Sequence, residues 1–245
     1  MIGIVVPAHN EQAVIEEALV ALRIAANHPG LNGEPVEVLV VLDSCTDATE
    51  AIARSCGVAT LGVDARNVGH ARATGAACLV KKGARWLAFT DADTIVSPEW
   101  LVRQLELDAD VVCGSIGVDD WSAHGRHANA IREHFARTYH DVDGHRHIHG
   151  ANLGVSTVAY LRAGGFPSLA CSEDVALVEA LQASGARIAW SAAPRVRTSA
   201  RADARARGGF GDTLLAVIAA GIAVTAATAA TAVVAVAASP KQLTD

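Results

Sequence analysis

Over residues 1–118, short apolar runs rich in β-branched residues alternate with stretches whose apolar positions recur every three or four residues, and that alternation admits few folds. Ile2–Pro7 and Val36–Leu42 are continuous apolar runs, the kind buried on both faces of a parallel sheet. Val58–Val63, Arg85–Thr90 and Asp110–Val118 complete five predicted strands. Between them, Asn10 is placed to cap a helix through Val14, Ile15, Ala18, Leu19 and Leu22. Thr46 or Asp47 opens a helix to Cys56, and Asn67–Lys82 reads as another. Ser97-Pro98-Glu99 is a cap followed by proline at the first helical position, starting a helix to Leu107. Asn27–Pro35, with two prolines and two glycines, is loop. The expected product is an α/β fold, a doubly wound, mostly parallel sheet with helices on both faces.

After Asp119 the periodicity loosens. A helix over His127–Tyr139, strand-like chain over Arg146–Ser156, a helix over Asp174–Gln182 and a late strand at Arg187–Trp190 are expected. We read residues 1–212 as one domain, with a nucleotide-binding half (1–118) and an acceptor-binding half (119–212). Residues 213–239 form an apolar Ala/Thr-rich segment in which Leu214–Ala238 carries no charge. It is long enough to cross a bilayer, though its composition makes insertion marginal. It is read either as helix packed on the domain or as a membrane anchor.

The formal charge of −6 argues against nucleic acid as partner. It leaves room for a small anion bridged by a cation. Five cysteines without Cys-x-x-Cys spacing disfavour disulfides and thiolate zinc sites. With no secretory leader pattern at Met1–Val6, a reducing cytoplasm is expected.

Ligands of open parallel sheets bind beyond the carboxyl ends of the strands, and the polar residues gather there. The first strand runs into Pro7-Ala8-His9-Asn10-Glu11, the second into Asp43-Ser44-Cys45-Thr46-Asp47, the fourth into Asp91-Ala92-Asp93. Carboxylates so convergent need a cation or hydrogen-bond donors among them. In an extended segment Asp91 and Asp93 point the same way. They could share Mg²⁺ or Mn²⁺, or one could bind the ion directly and the other through water, with substrate diphosphate completing the shell. The plainer alternative is an aspartate capping the next helix. Arg66-Asn67-Val68-Gly69-His70-Ala71-Arg72 suits a phosphate or ribose edge, or is an ordinary turn. Glu173-Asp174 opens a predicted helix as a cap or as a general base for an acceptor hydroxyl.

Taken together, these segments resemble family 2 glycosyltransferases of the GT-A fold. The matching residues are Pro7-Ala8-His9-Asn10-Glu11; Asp43, Ser44 and Asp47; Arg66-Asn67-x-Gly69-x-Ala71-Arg72; Asp91-x-Asp93; Gly150-Ala151-Asn152; and Gly165-Phe166-Pro167 followed by Glu173-Asp174. The resemblance spans about residues 1–190. It implies metal-assisted, inverting transfer of a hexosyl group from a UDP- or GDP-sugar to an acceptor hydroxyl of a lipid, glycan or small molecule. It implies that Pro7, Ala8, Glu11 and Asp43 hold the base and ribose, with His9 stacking where the family often has tyrosine. Asn67 belongs to the donor side and Arg72 would line its pocket. Asp91 would lie near the ribose or sugar, and Asp93 on the metal. Gly150, Ala151 and Asn152 would face the donor sugar or acceptor, and Asp174, beside Glu173, would be the base. Many members place a metal-binding histidine on a late strand. The corresponding segment Arg195–Ser199 has none; Arg197, Arg201, Arg205 and Arg207 could grip the diphosphate instead, or belong to a basic flexible tail with Gly208-Gly209 as its hinge. No Gln-x-x-Arg-Trp segment follows the base, which implies a non-processive enzyme.

Three other readings deserve a test. A nucleotidyltransferase uses a similar sheet but carries a Gly- and Arg- or Lys-rich loop where this chain has Pro-Ala-His-Asn-Glu. A catalytically inactive nucleotide-sugar-binding module would not need Asp91, Asp93 and Asp174. His145-x-His147-x-His149 would set three imidazoles on one strand face, a possible zinc site.

Overall fold

Ile2, Ile4, Val5 and Val6 expose no surface, which fixes β1 (Ile2–Ala8) at the centre of the molecule. The computed structural model describes residues 1–201. The apolar segment 214–238, with Arg205, Arg207 and Gly208-Gly209, lies outside the described residues. β1 pairs in parallel with β2 (Val36–Asp43) and β4 (Trp86–Phe89), and β2 with β3 (Ala59–Val63).

Alternate residues of β1 serve different cores. Ile2, Ile4 and Val6 pack with Ile15, Leu19 and Leu22 of α1 (Ile15–Ala26) and with Trp100 and Leu101 of α4 (Trp100–Glu106). Val5 faces the other way, with Val41, toward Leu79 of α3 (Val68–Lys81) and Leu177 and Leu181 of α7 (Glu173–Ala183). The period of two in a strand thus sets helices on both faces. Gly75 lets α3 lie on the sheet, because a Cβ there would meet Val5 at 2.6 Å and Val41 at 2.8 Å.

The seven-stranded sheet runs β3-β2-β1-β4-β7-β6-β8. β7 (Leu153–Ser156), from the second half, inserts antiparallel between β4 and β6 (Val111–Gly114), while β8 (Ile188–Ser191) pairs parallel to β6. The expected doubly wound, mostly parallel sheet is present, with this antiparallel strand built into it. Around it lie α2 (Thr49–Ser55), α5 (Ala128–Thr138) and α6 (Thr157–Arg162). A second sheet pairs β5 (Thr94–Val96) with β9 (Val196–Thr198). Strands of three residues carry too few side chains to show a period, so the pattern did not announce them.

Two local expectations are corrected. α1 begins at Ile15, not after an Asn10 cap; Asn10 sits at φ 55° and its side-chain oxygen accepts from Thr46 N at 2.8 Å. The strand-like chain from Arg146 becomes strand only at Leu153. Its far end, Ser156, caps α6 by accepting from Ala159 N. Among the described residues no helix is long and apolar enough to cross a membrane.

Candidate active site

The rim at the carboxyl ends of β1, β2 and β4 is assembled by tying loops together. Pro7 lacks a ladder N–H, and it falls beyond Val5, where β1 has outrun its pairing with β4. Ala8 beside it is buried. Past Ala8 the chain is stitched to the β2–α2 loop. His9 Nδ1 lies 2.6 Å from the Asp43 carbonyl, and Glu11 N donates to Thr49 Oγ1 at 2.8 Å.

Asp43 ends β2, and its carboxylate accepts from the backbone N–H groups of Ala65, Arg66 and Asn67 at 2.8, 2.8 and 2.7 Å. Burial pushes this carboxyl up, but those donors and Ser44 outweigh it and hold it below the usual range. Asp43 therefore fixes the turn in which Arg66 adopts φ 47°. Asn67 then caps α3, its side chain accepting from His70 N at 2.9 Å.

Asp91-Ala92-Asp93 does not continue as extended chain. Thr94 N donates to the Asp91 carbonyl at 3.2 Å, closing a turn, and the two carboxylates part. Asp91 Oδ1 takes Arg72 Nη2 at 2.5 Å, whereas Asp93 Oδ2 takes Arg201 Nη2 at 2.7 Å. The two carboxylates are therefore not aligned as in extended chain, because the chain turns between them, though Asp91 stays close enough to act on Asp93.

On the interior side lies a buried cluster. Arg72, only 4% exposed, forks between Asp91 and Glu173 and lies over the Phe166 ring at 5.9 Å. Burial disfavours its charge, but Asp91, Glu173 and Asp174 outweigh that and raise its affinity for the proton. Burial pushes the Glu173 carboxyl up despite Arg72. Two glycines permit this density. A Cβ on Gly150 would run into the Arg72 guanidinium, and one on Gly69 would meet the carbonyls of Pro167 and Leu169 at 2.5 and 2.6 Å. Arg72 therefore braces the floor of the site rather than lining an open pocket. Beside it, Asp174 Oδ2 accepts from Gly150 N at 2.8 Å and Oδ1 from Val175 N at 2.8 Å.

On the outer side, Arg201 Nη1 and Nη2 fork onto both oxygens of Glu11 at 2.8 and 2.9 Å while Nη2 also reaches Asp93. Burial, with Asp91 and Glu11 nearby, pushes the Asp93 carboxyl up to about 6 against the pull of Arg201. Two carboxylates converging on one cationic group form the oxygen donor set that suits Mg²⁺ or Mn²⁺. Glu11 and Asp93 supply oxygens of the kind such an ion takes, with Arg201 lying between them. Among the described residues, no group of three His, Cys, Asp or Glu side chains is arranged to hold a metal.

Two further expectations change. Asn152, expected at the donor sugar or acceptor, has no exposed surface. Its Nδ2 donates to the carbonyls of Ser115 (2.7 Å) and Pro194 (3.0 Å), and its Oδ1 accepts from Trp100 Nε1 at 2.9 Å. A buried amide with three such bonds ties three segments together and cannot also meet a sugar. Ala151 is buried beside it.

The histidine run does not form a strand face. The rings of Tyr139 and His147 stack at 4.0 Å, those of His145 and His147 at 5.4 Å, and those of His147 and His149 at 6.1 Å. Near-parallel imidazoles send their lone pairs side by side rather than to one point, so this arrangement is not a zinc site. Burial pushes His149 down to about 4, and its Nε2 lies 3.0 Å from the Tyr139 hydroxyl. Tyr139 and Phe166 had no named role in the sequence reading. Only their ring contacts across distant segments reveal one.

The model of the family described as "Glycosyl transferase family 2" matches residues 3–160. No curated protein sequence matches. Among solved structures, S. aureus TarS 1–349 in complex with UDP-GlcNAc aligns with a TM-score of 0.60 at 18% identity, over 85% of this chain and 61% of that one. Glucosyl-3-phosphoglycerate synthase from Mycobacterium tuberculosis, with Mn²⁺, UDP and glucosyl-3-phosphoglycerate, aligns at 0.54 and 18% identity, over 81% of this chain and 70% of that one. The mannosyltransferase PcManGT from Pyrobaculum calidifontis, with GDP-Man and Mn²⁺, aligns at 0.52 and 22% identity, over 79% and 57%. At these identities the likeness is one of fold, the GT-A fold, and the chain spans less than two thirds of the TarS fragment. By the family match over most of its length, the chain belongs to glycosyl transferase family 2.

Proposed function

We propose that the chain moves a hexosyl group from a UDP- or GDP-sugar to an acceptor hydroxyl, one residue at a time and with inversion. One observation carries this reading. Arg72 pairs with Asp91 and Glu173, Arg201 pairs with Asp93 and Glu11, and one short turn joins the two pairs, with Asp174 next to Glu173 and bonded to Gly150 N. That gathering of acidic residues from distant segments supports the reading. The nucleotide sugars and Mn²⁺ in the complexes of the structural relatives support the same donor class and cation.

The roles follow from chemistry. Pro7, Ala8, His9 and the loop clamped by Asp43 and Asn67 form the nucleotide side. Asp93, with Asp91 adjoining, would hold Mg²⁺ or Mn²⁺, and such an ion offsets charge on the leaving nucleoside diphosphate. Asp174 takes the acceptor proton as the acceptor oxygen bonds to the anomeric carbon and the bond from that carbon to the diphosphate breaks on the opposite face. Glu173 and Arg72 fix the first turn of α7 and so aim Asp174. The acceptor is a lipid, a glycan or a small molecule. A reducing cytoplasmic setting accords with the free cysteines.

The test is a panel of UDP- and GDP-sugars assayed for hydrolysis and transfer with and without Mn²⁺, on wild type and Asp174→Asn. The variant is expected to bind donor like wild type and to lose transfer by about 10²–10⁴-fold. Undiminished transfer would remove Asp174 as base.

A further inference from the structure

A positively charged side chain stands at the place the proposed function gives to the cation. Arg201 is held there from several directions. Its N–H donates to Ser199 Oγ at 3.2 Å. The preceding Ala200 is 2% exposed and packs with Trp121 and Ile131. The strand before it, β9, is paired with β5, which begins one residue after Asp93, and Thr94 and Thr198 join their hydroxyls at 2.9 Å. The guanidinium is therefore delivered by the strand bound to the metal loop itself. Glu11 and Asp93 face it, with Asp91 beyond.

We propose that Arg201 is a positioning residue that holds Asp93 and Glu11 in register and keeps a divalent ion off Asp93 until a donor diphosphate arrives. The inference rests on the nucleotide-sugar reading above and adds the order of events. A divalent ion and a guanidinium at contact distance from one carboxylate repel each other. A diphosphate offers the planar guanidinium a better bidentate partner than a shared carboxylate. Once drawn to the phosphate, Arg201 leaves Asp93 to the ion. Ion and nucleotide are then taken up together, and by reciprocity each tightens the other. Removing an arginine that merely stabilised the fold would weaken ion binding; removing this one is expected to strengthen it.

The experiment measures Mn²⁺ binding to the full chain by electron paramagnetic resonance, first without nucleotide and then with UDP or GDP. It compares wild type, Arg201→Gln and Arg201→Lys. Without nucleotide, Arg201→Gln is expected to bind Mn²⁺ at least about tenfold more tightly than wild type. Arg201→Lys falls between, because an ammonium cannot fork onto two carboxylates. Nucleotide tightens Mn²⁺ binding strongly in wild type and much less in Arg201→Gln. Circular dichroism establishes that each variant is folded. Should Arg201→Gln fail to fold, Arg201→Lys carries the test, with tighter Mn²⁺ binding than wild type expected. Equal or weaker Mn²⁺ binding in the folded variants, with UDP or GDP still bound, overturns the role of Arg201 and leaves the donor reading intact. Failure of every protein to bind UDP or GDP, with or without Mn²⁺, overturns both.

Discussion

The two sides of the Asp91-Ala92-Asp93 turn handle the same chemistry in opposite ways. On the interior side Asp91 meets Arg72, which is 4% exposed and packed against Phe166 and Gly150. On the outer side Asp93 meets Arg201, whose side chain is 26% exposed. Both are guanidiniums shared between two carboxylates. The interior one has no solvent to replace it, so it is a fixed part of the scaffold. The outer one borders water, so another cation or an anionic ligand can change its partners. One turn thus joins a rigid brace to an exchangeable site.

The strongest way to break that contrast is Arg72→Met, which leaves Glu173 buried and unpaired. It should cost about 3–5 kcal/mol of stability in a urea titration, and Glu173→Gln added to it should recover part of that loss. A cost below about 1 kcal/mol would make the interior cluster no different from a surface pair.

Acid tests the same side through His149, which burial holds at about 4 against 6.5 in the unfolded chain. A depressed histidine contributes stability that is full above pH 6.5. Below it the unfolded chain takes up the proton first. Wild type should then lose about 1.4 kcal/mol per pH unit relative to His149→Gln, until about pH 4. Parallel stability curves for the two proteins over that range would mean that His149 is not shielded.

The smallest effect is expected at the rim. Arg201→Gln should cost less than Arg72→Met by thermal unfolding, because its guanidinium borders water, although the Glu11 and Asp93 carboxylates it leaves behind are only 7% and 9% exposed. A loss as large as that of Arg72→Met would erase the distinction between the two sides.

The alternation of apolar runs carried the sheet and the helices of residues 1–118, because a strand buried on both faces and a helix buried on one have different periods. Most boundaries moved by only a few residues. The exceptions were α1, where Asn10 serves a neighbouring loop instead of the helix, and α4, which begins at Trp100 without a Ser97 side-chain cap. The position of β7 between β4 and β6 was not legible, since strand order depends on which surfaces remain to be covered after the chain turns back. At the site, the rim residues were legible as types. Their partners were not: Asn152 looked like a ligand-facing amide and is a buried tie, and Asp91 and Asp93 looked like a pair and are split.

By itself the sequence determined the layered α/β architecture and the strand ends at which the acidic residues collect, because both follow from local period and chain order. Which carboxylate meets which cation was decided only in three dimensions. Arg72 reaches Glu173 across 101 positions, and Arg201 reaches Glu11 across 190. Pairings at that range answer to packing, since no local propensity acts over such distances.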